Sequence, residues 1–316
     1  MTTNTMDWGT TFTWLWVPVV LLAAGAQTVR NAAQRSLTGS LGTWAATLVR
    51  FLYGLPFALG CLALLYLLPA EMPAAPRLSW TYVGWIALGA AFQIGATAAL
   101  LLAMQQRNFA VAVTLSKSEV LQVALFGAVF LAEWPSANMW LAMGVATAGV
   151  MLLSVPPAGA GTRLSPRTWL SRSAGYGLLC GACFAIATVG FRGGALALDA
   201  PTPWLSAAWG VTLAQLMQSI ALGTWIAWRE PAGLMPVLRS WRVSLLAGSM
   251  GAMASLLWFA AYAMQSASAV RTVGMVEVVF SLVVSRRVFR ERLRRTETLG
   301  LALMGVGIVY LCWQYL

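Results

Sequence analysis

The chain has 316 residues, 59% of them hydrophobic and 9% charged, with a formal net charge of +11 and a mean hydropathy of +0.75. A soluble domain carries about 25% charged residues, so this chain cannot cover a water-facing surface. A nucleic-acid-binding surface is excluded with it, because the positive charge has no folded polar face to sit on. Nineteen of the twenty basic residues are Arg, most of them in loops, and the charge reads as membrane orientation.

A bilayer-spanning helix needs about 20 mostly apolar residues. Such segments run at 12–33, 42–68, 80–104, 109–131, 138–155, 173–195, 203–228, 242–264, 268–288 and 296–314. They predict an all-α integral membrane protein with about ten transmembrane helices. The alternation of polar and apolar residues that marks a transmembrane β-barrel is missing. Turn chemistry falls between segments: Pro69, Pro73 and Pro76, then Trp134-Pro135, then Pro231 and Pro236. Residues Met1 to Thr11 contain Asp7 and no basic stretch, so no cleavable signal peptide is expected. Trp14, Trp80, Trp140 and Trp241 lie near segment ends, where the ring suits the head-group boundary.

The longest break, Pro156-Pro157-Ala-Gly-Ala-Gly-Thr-Arg163, divides the chain into 1–157 and 158–316. Shifting the sequence by 160 places Thr28-Val29 on Thr188-Val189, Trp44 on Trp204, and Ala103-Met104-Gln105 on Ala263-Met264-Gln265. A shift of 158 places Glu119 on Glu277, Glu133 on Glu291 and Gly149 on Gly307. The halves therefore read as two five-helix repeats. Since five is odd, the second enters the bilayer from the opposite side, an inverted repeat of the kind alternating-access transporters use.

A charge at mid-membrane costs about 2.5 to 3.5 kcal/mol on insertion scales, so ionisable residues inside spans are functional candidates. The fourth segment carries Lys117, the sole lysine, and Glu119; the ninth carries Arg271 and Glu277; the second carries Arg50. Glu119 and Glu277 fall near the centre of their spans, where each either faces a shared cavity or neutralises a basic residue on a neighbouring helix. Lys117 is about 200° around a regular helix from Glu119, so its partner is expected elsewhere. Gln27, Arg30, Asn31 and Gln34 follow i, i+3, i+4, i+7, one polar stripe that fits either a substrate path or emergence into the head groups. Arg50 and Arg271 could equally snorkel to an interface, and Gln93 and Gln122 could equally tie helices together. Glu133 and Glu291, at helix ends, suit loop contacts better than substrate.

Other chemistries lack their residues. The chain has no His, no P-loop and no G-x-S-x-G, so it is read as a non-enzyme with no cofactor and no metal site. Cys61, Cys180, Cys183 and Cys312 all lie in apolar segments, and the Cys180-x-x-Cys183 pair has no second ligand pair. Gly84, Gly89, Gly248 and Gly251 read as points of close helix approach.

The run Leu102-Ala103-Met104-Gln105, then Glu119, Leu131-Ala132-Glu133 and Gly149, resembles the ten-helix EamA-type members of the drug/metabolite transporter superfamily. The second half repeats it as Ala263-Met264-Gln265, Glu277, Glu291, Gly300 and Gly307. The family often has Pro directly after the first Glu of each pair; here Val120 and Val278 stand there. The resemblance implies a secondary transporter of small organic metabolites, an exporter embedded in the cell's inner (plasma) membrane, monomeric or homodimeric, with no nucleic-acid partner. The excess of basic over acidic residues inside the spans favours an amino acid or organic anion over an organic cation. With no histidine, Glu119 and Glu277 are the midplane groups able to carry a coupling proton, Glu119 first because of its neighbouring lysine. A lipid-linked-intermediate flippase, or an accessory membrane subunit without solute turnover, is the alternative. The arginine-rich loops follow the odd-numbered helices, which places them in the cytoplasm and both termini outside; the resemblance implies termini inside.

Overall fold

The structure is a computed structural model that describes residues 14–104, 109–154, 171–280, 282–283 and 294–315. Among the described residues all regular structure is helical, with no strand. The first half of the chain holds α1 (Trp16–Leu41), α2 (Thr43–Leu52), α3 (Leu55–Leu67), α4 (Trp80–Met104), α5 (Phe109–Ser116), α6 (Glu119–Leu131) and α7 (Ala137–Leu153). Beyond the linker come α8 (Arg172–Ala197), α9 (Pro203–Arg229), α10 (Leu234–Arg239), α11 (Trp241–Met264), α12 (Ala267–Gly274) and α13 (Arg295–Trp313), with a further helical stretch beginning at Glu277. Among the described residues seven stretches are long and apolar enough to cross a membrane: Trp44–Leu67, Trp80–Leu100, Val111–Leu131, Arg172–Ala197, Pro203–Arg229, Trp241–Met264 and Arg295–Trp313. Ala137–Leu153 is a shorter apolar helix.

Helix ends follow local chemistry. Ser136, Ser171 and Thr202 each accept a hydrogen bond from the backbone N–H three residues on, which starts α7, α8 and α9. α6 stops where Ala132 takes a left-handed φ of 56° and Glu133 N–H bonds back to the Gly127 carbonyl. Gly42, with φ 76°, separates α1 from α2.

Three segments that the sequence reads as single spans are interrupted. The second breaks at Tyr53-Gly54, the fourth at Lys117-Ser118 and the ninth at Met275-Val276. At the last two the ladder tightens to i→i−3 bonds: Lys117 N–H to Thr114, Ser118 to Leu115, Met275 to Thr272 and Val276 to Val273. The tightening occurs without a proline after either glutamate, where Val120 and Val278 stand.

Packing is inverted relative to a soluble protein. Alanines dominate the buried hydrophobic set, whereas Leu64, Leu125, Leu179, Ile220, Val306 and Val309 point outward, where only lipid tails would meet them. The most extensive pairings are α4 with α8, α1 with α11, and α7 with α13. Small residues permit them: a Cβ at Gly190 would lie 2.8 Å from Gly89 N, and one at Gly149 would lie 2.6 Å from the Gly300 carbonyl. Gly248 packs on the Tyr53 main chain, as its sequence context suggests; Gly84 has nothing within 4 Å and is no contact point.

Candidate functional site

A cavity of about 370 Å³ lies in the middle of the bundle. α1 supplies Gln27, Arg30 and Asn31, α2 supplies Arg50, α4 supplies Gln93, and the tightened turns supply Lys117, Glu119 and Glu277. α12 adds Arg271, and α8 and α11 form an aromatic wall of Phe184, Phe191, Trp258, Phe259 and Tyr262. Nine of the ten candidate residues thus share one cavity. Gln122 does not: its amide bonds to Ser118 Oγ at 2.8 Å, and it lines a separate apolar groove with Leu121, Leu125, Trp140 and Leu179. Gln34 and Arg35 lie outside the described side chains, and Glu291 outside the described residues.

The two carboxylates, equivalent in sequence, have different partners. Glu277 accepts from Gln27 Nε2 at 2.5 Å and from Asn31 Nδ2 at 2.9 Å. Gln27 Oε1 in turn accepts from the Trp258 indole at 3.0 Å, and Asn31 Oδ1 accepts from Arg30 Nη2 at 2.6 Å and Nε at 3.2 Å. Glu119 instead forms an ion pair with Arg271, 2.5 Å between Nη2 and Oε1. The Arg271 guanidinium lies over the Trp258 ring, 5.2 Å from its centre. Trp258 therefore touches both networks, its N–H in one and its π face in the other. A Cβ at Gly274 would come within 2.4 Å of that indole, so the glycine leaves its seat.

Arg50 and Arg271 do not snorkel to an interface: both line the cavity. The Arg30 and Arg50 stems run side by side over Gly251, where an added Cβ would lie 3.3 Å from Arg30 Cδ and 3.5 Å from Arg50 Cγ. Arg50 stacks on Phe51 at 5.0 Å, but its buried Nε has no hydrogen-bond partner. Lys117 has no carboxylate partner among the described residues. It reaches the same cavity as Glu119 although a regular helix would separate them, because the tightened turn interrupts the helix between them. Gln93 accepts from the buried Gln218 at 2.7 Å, the helix-tying role the sequence left open.

A further pair was not singled out in the sequence. Arg192 on α8 bonds Glu133 at 2.7 Å and donates to the Tyr262 carbonyl at the end of α11. It caps that helix terminus, where cations are favoured. Glu133 is thus a helix-end contact, as expected. Arg192 could have been found as the one arginine inside the sixth apolar segment.

Apolar exteriors around a charged interior define a multi-pass helical membrane protein. Residues 173–313, in the second half of the chain, match the EamA-like transporter family. A solved structure described only as a crystal structure of a protein is similar over 93% of this chain and 97% of its own, with a TM-score of 0.67 at 16% identity, a likeness of fold. No curated protein matches.

Proposed function

We propose that the chain is a secondary transporter, an exporter in the inner membrane, that moves small organic metabolites by alternating access around the central cavity. The observation that carries the reading is the cavity itself, with four cationic side chains and two carboxylates enclosed among apolar helices. Such groups are costly unless used, and the volume lies at the small end of ligand pockets. Amino acids and organic anions are the favoured solutes.

The reading includes ten crossings in two inverted halves. Exchanging the halves maps α1 onto α8 and α4 onto α11, so the α4–α8 and α1–α11 pairings become each other and α7–α13 maps onto itself. The tightened turns before Glu119 and Glu277 correspond in the same way. Both facts support a pseudo-two-fold arrangement with the solute at its centre.

For energy coupling, the partners favour Glu277 over Glu119. Protonating Glu119 would leave Arg271 buried and unpaired, a penalty of several kcal/mol. Glu277 accepts from two neutral amides, which can turn and accept from a protonated carboxyl; its charge acts on Arg30, Arg50 and Arg271 without a direct ion pair among the described residues. In proteoliposomes with an imposed pH gradient, Glu277→Gln should abolish concentrative uptake and keep solute exchange. If Glu277→Gln still concentrates solute with unchanged pH dependence, the proton is not carried there. Absence of movement of any solute from a complete metabolite extract would favour the flippase or accessory-subunit alternative.

A further inference from the structure

The charge inventory of the cavity does not close. Arg30, Arg50, Lys117 and Arg271 face Glu119 and Glu277, an excess of two positive charges. Both acids are already engaged, Glu119 by Arg271 and Glu277 by two amides. Arg30 spends Nε and Nη2 on a neutral acceptor, the Asn31 carbonyl oxygen. Arg50 keeps a buried Nε without a partner, and Lys117 has no carboxylate among the described residues. Gly251 brings the two arginine stems together, a juxtaposition that repels in a low-dielectric interior, and the single charge of Glu277 acts on both.

We propose that the cavity is built for a small organic dianion, with one acidic group in the bay formed by Arg30 and Arg50 over Gly251 and the second at Lys117. The inference rests on the transport reading and narrows its substrate class. Arginine supplies the planar fork that takes a carboxylate or phosphate bidentately, while lysine supplies a point charge that tolerates either. A dianion brings the cavity to neutrality. A zwitterionic amino acid leaves the excess standing, and a cation adds to it. Trp258, between the two networks, places a fluorophore in the wall of the site.

The test uses the purified full chain in nanodiscs, read by apparent melting temperature and tryptophan fluorescence. The probes share one carbon length and differ in charge: succinate, butyrate, γ-aminobutyrate and putrescine, with fumarate as a second dianion. Saturable stabilisation by succinate or fumarate, with affinity at least about tenfold above butyrate, supports the proposal. Arg50→Gln should lower that affinity by about tenfold or more and Arg50→Lys should restore part of it, while Lys117→Gln should bring dianion affinity down to the monoanion level. Equal or stronger stabilisation by butyrate, γ-aminobutyrate or putrescine overturns it, as does the absence of any response to both dianions in folded protein. Counterflow of the same solutes in proteoliposomes separates the two readings. Movement of γ-aminobutyrate or putrescine without the dianions sinks the dianion site and leaves transport standing. Dianion binding without movement of any solute upholds the site and refutes transport.

Discussion

Replacing Gly149 by alanine tests whether α7 and α13 meet through backbone contact. The added Cβ would lie 2.5 Å from Met304 N and 2.6 Å from the Gly300 carbonyl, where ordinary contact begins at 3.4 Å. The obstructing atoms are backbone, so no side chain can turn away. α13 must retreat by roughly 0.9 Å or the chain must deform, and overpacking of this kind costs about 1 to 3 kcal/mol. A control lies in the same helix: Gly144 has nothing within 4 Å. There alanine should stabilise by about 0.5 to 1 kcal/mol through helix propensity alone. Apparent melting temperatures of the two variants in one detergent should therefore move in opposite directions, a gap of at least about 1.5 kcal/mol between them. Equal shifts in both would refute the claim that glycine at 149 holds this interface.

The Glu133–Arg192 pair, with side chains 18% and 12% exposed, should behave as a buried ion pair. Glu133→Gln and Arg192→Gln should each cost about 3 kcal/mol, and the double variant should cost less than their sum in a thermal-unfolding cycle; strict additivity would show that the pair is not coupled. Lys117→Ala should do the reverse, leaving the melting temperature level or raised while transport is lost, since it strands no partner; failure of the variant to accumulate in the membrane would reveal a structural role. Trp258→Phe should keep the fold but release Gln27, weakening solute binding by about tenfold; unchanged affinity would show that the indole N–H does not hold the network. A reporter active only in the cytoplasm, fused after Tyr315, should stay silent if the arginine-rich loops are inside, and activity would reverse the orientation.

Much of the interior was legible in the sequence because the bilayer makes polarity expensive. A polar residue inside an apolar run must face protein or water, and that rule alone collects Gln27, Arg30, Asn31, Arg50, Gln93, Lys117, Glu119, Arg271 and Glu277 around one cavity. It cannot distinguish a cavity from a groove, and so Gln122, on the outer side of the same helix, was collected with them. Partner choice was not legible. Glu277 meets residues some 250 positions away, and the repeat pattern that equates it with Glu119 says nothing of the amides on one and the arginine on the other. Trp258 escaped notice because an aromatic residue in an apolar run reads as packing. The placing of Lys117 with Glu119, and of Arg271 with Glu277, in one cavity depended on helix breaks that no proline or paired glycine announced at Lys117-Ser118 and Met275-Val276.

Those tightened turns have a mechanical consequence. A residue in a 3₁₀ turn advances about 120° and 2.0 Å, against about 100° and 1.5 Å in an α-helix. Relaxing two residues such as Lys117 and Ser118 from i→i−3 bonding to the regular ladder would swing everything beyond them by about 40° and shorten the path by about 1 Å. Glu119 is the first residue past that point, at the end of a short lever. A swing of that size carries its carboxylate away from Arg271 by more than a hydrogen-bond length, so exchanging the few bonds of the turn opens that ion pair.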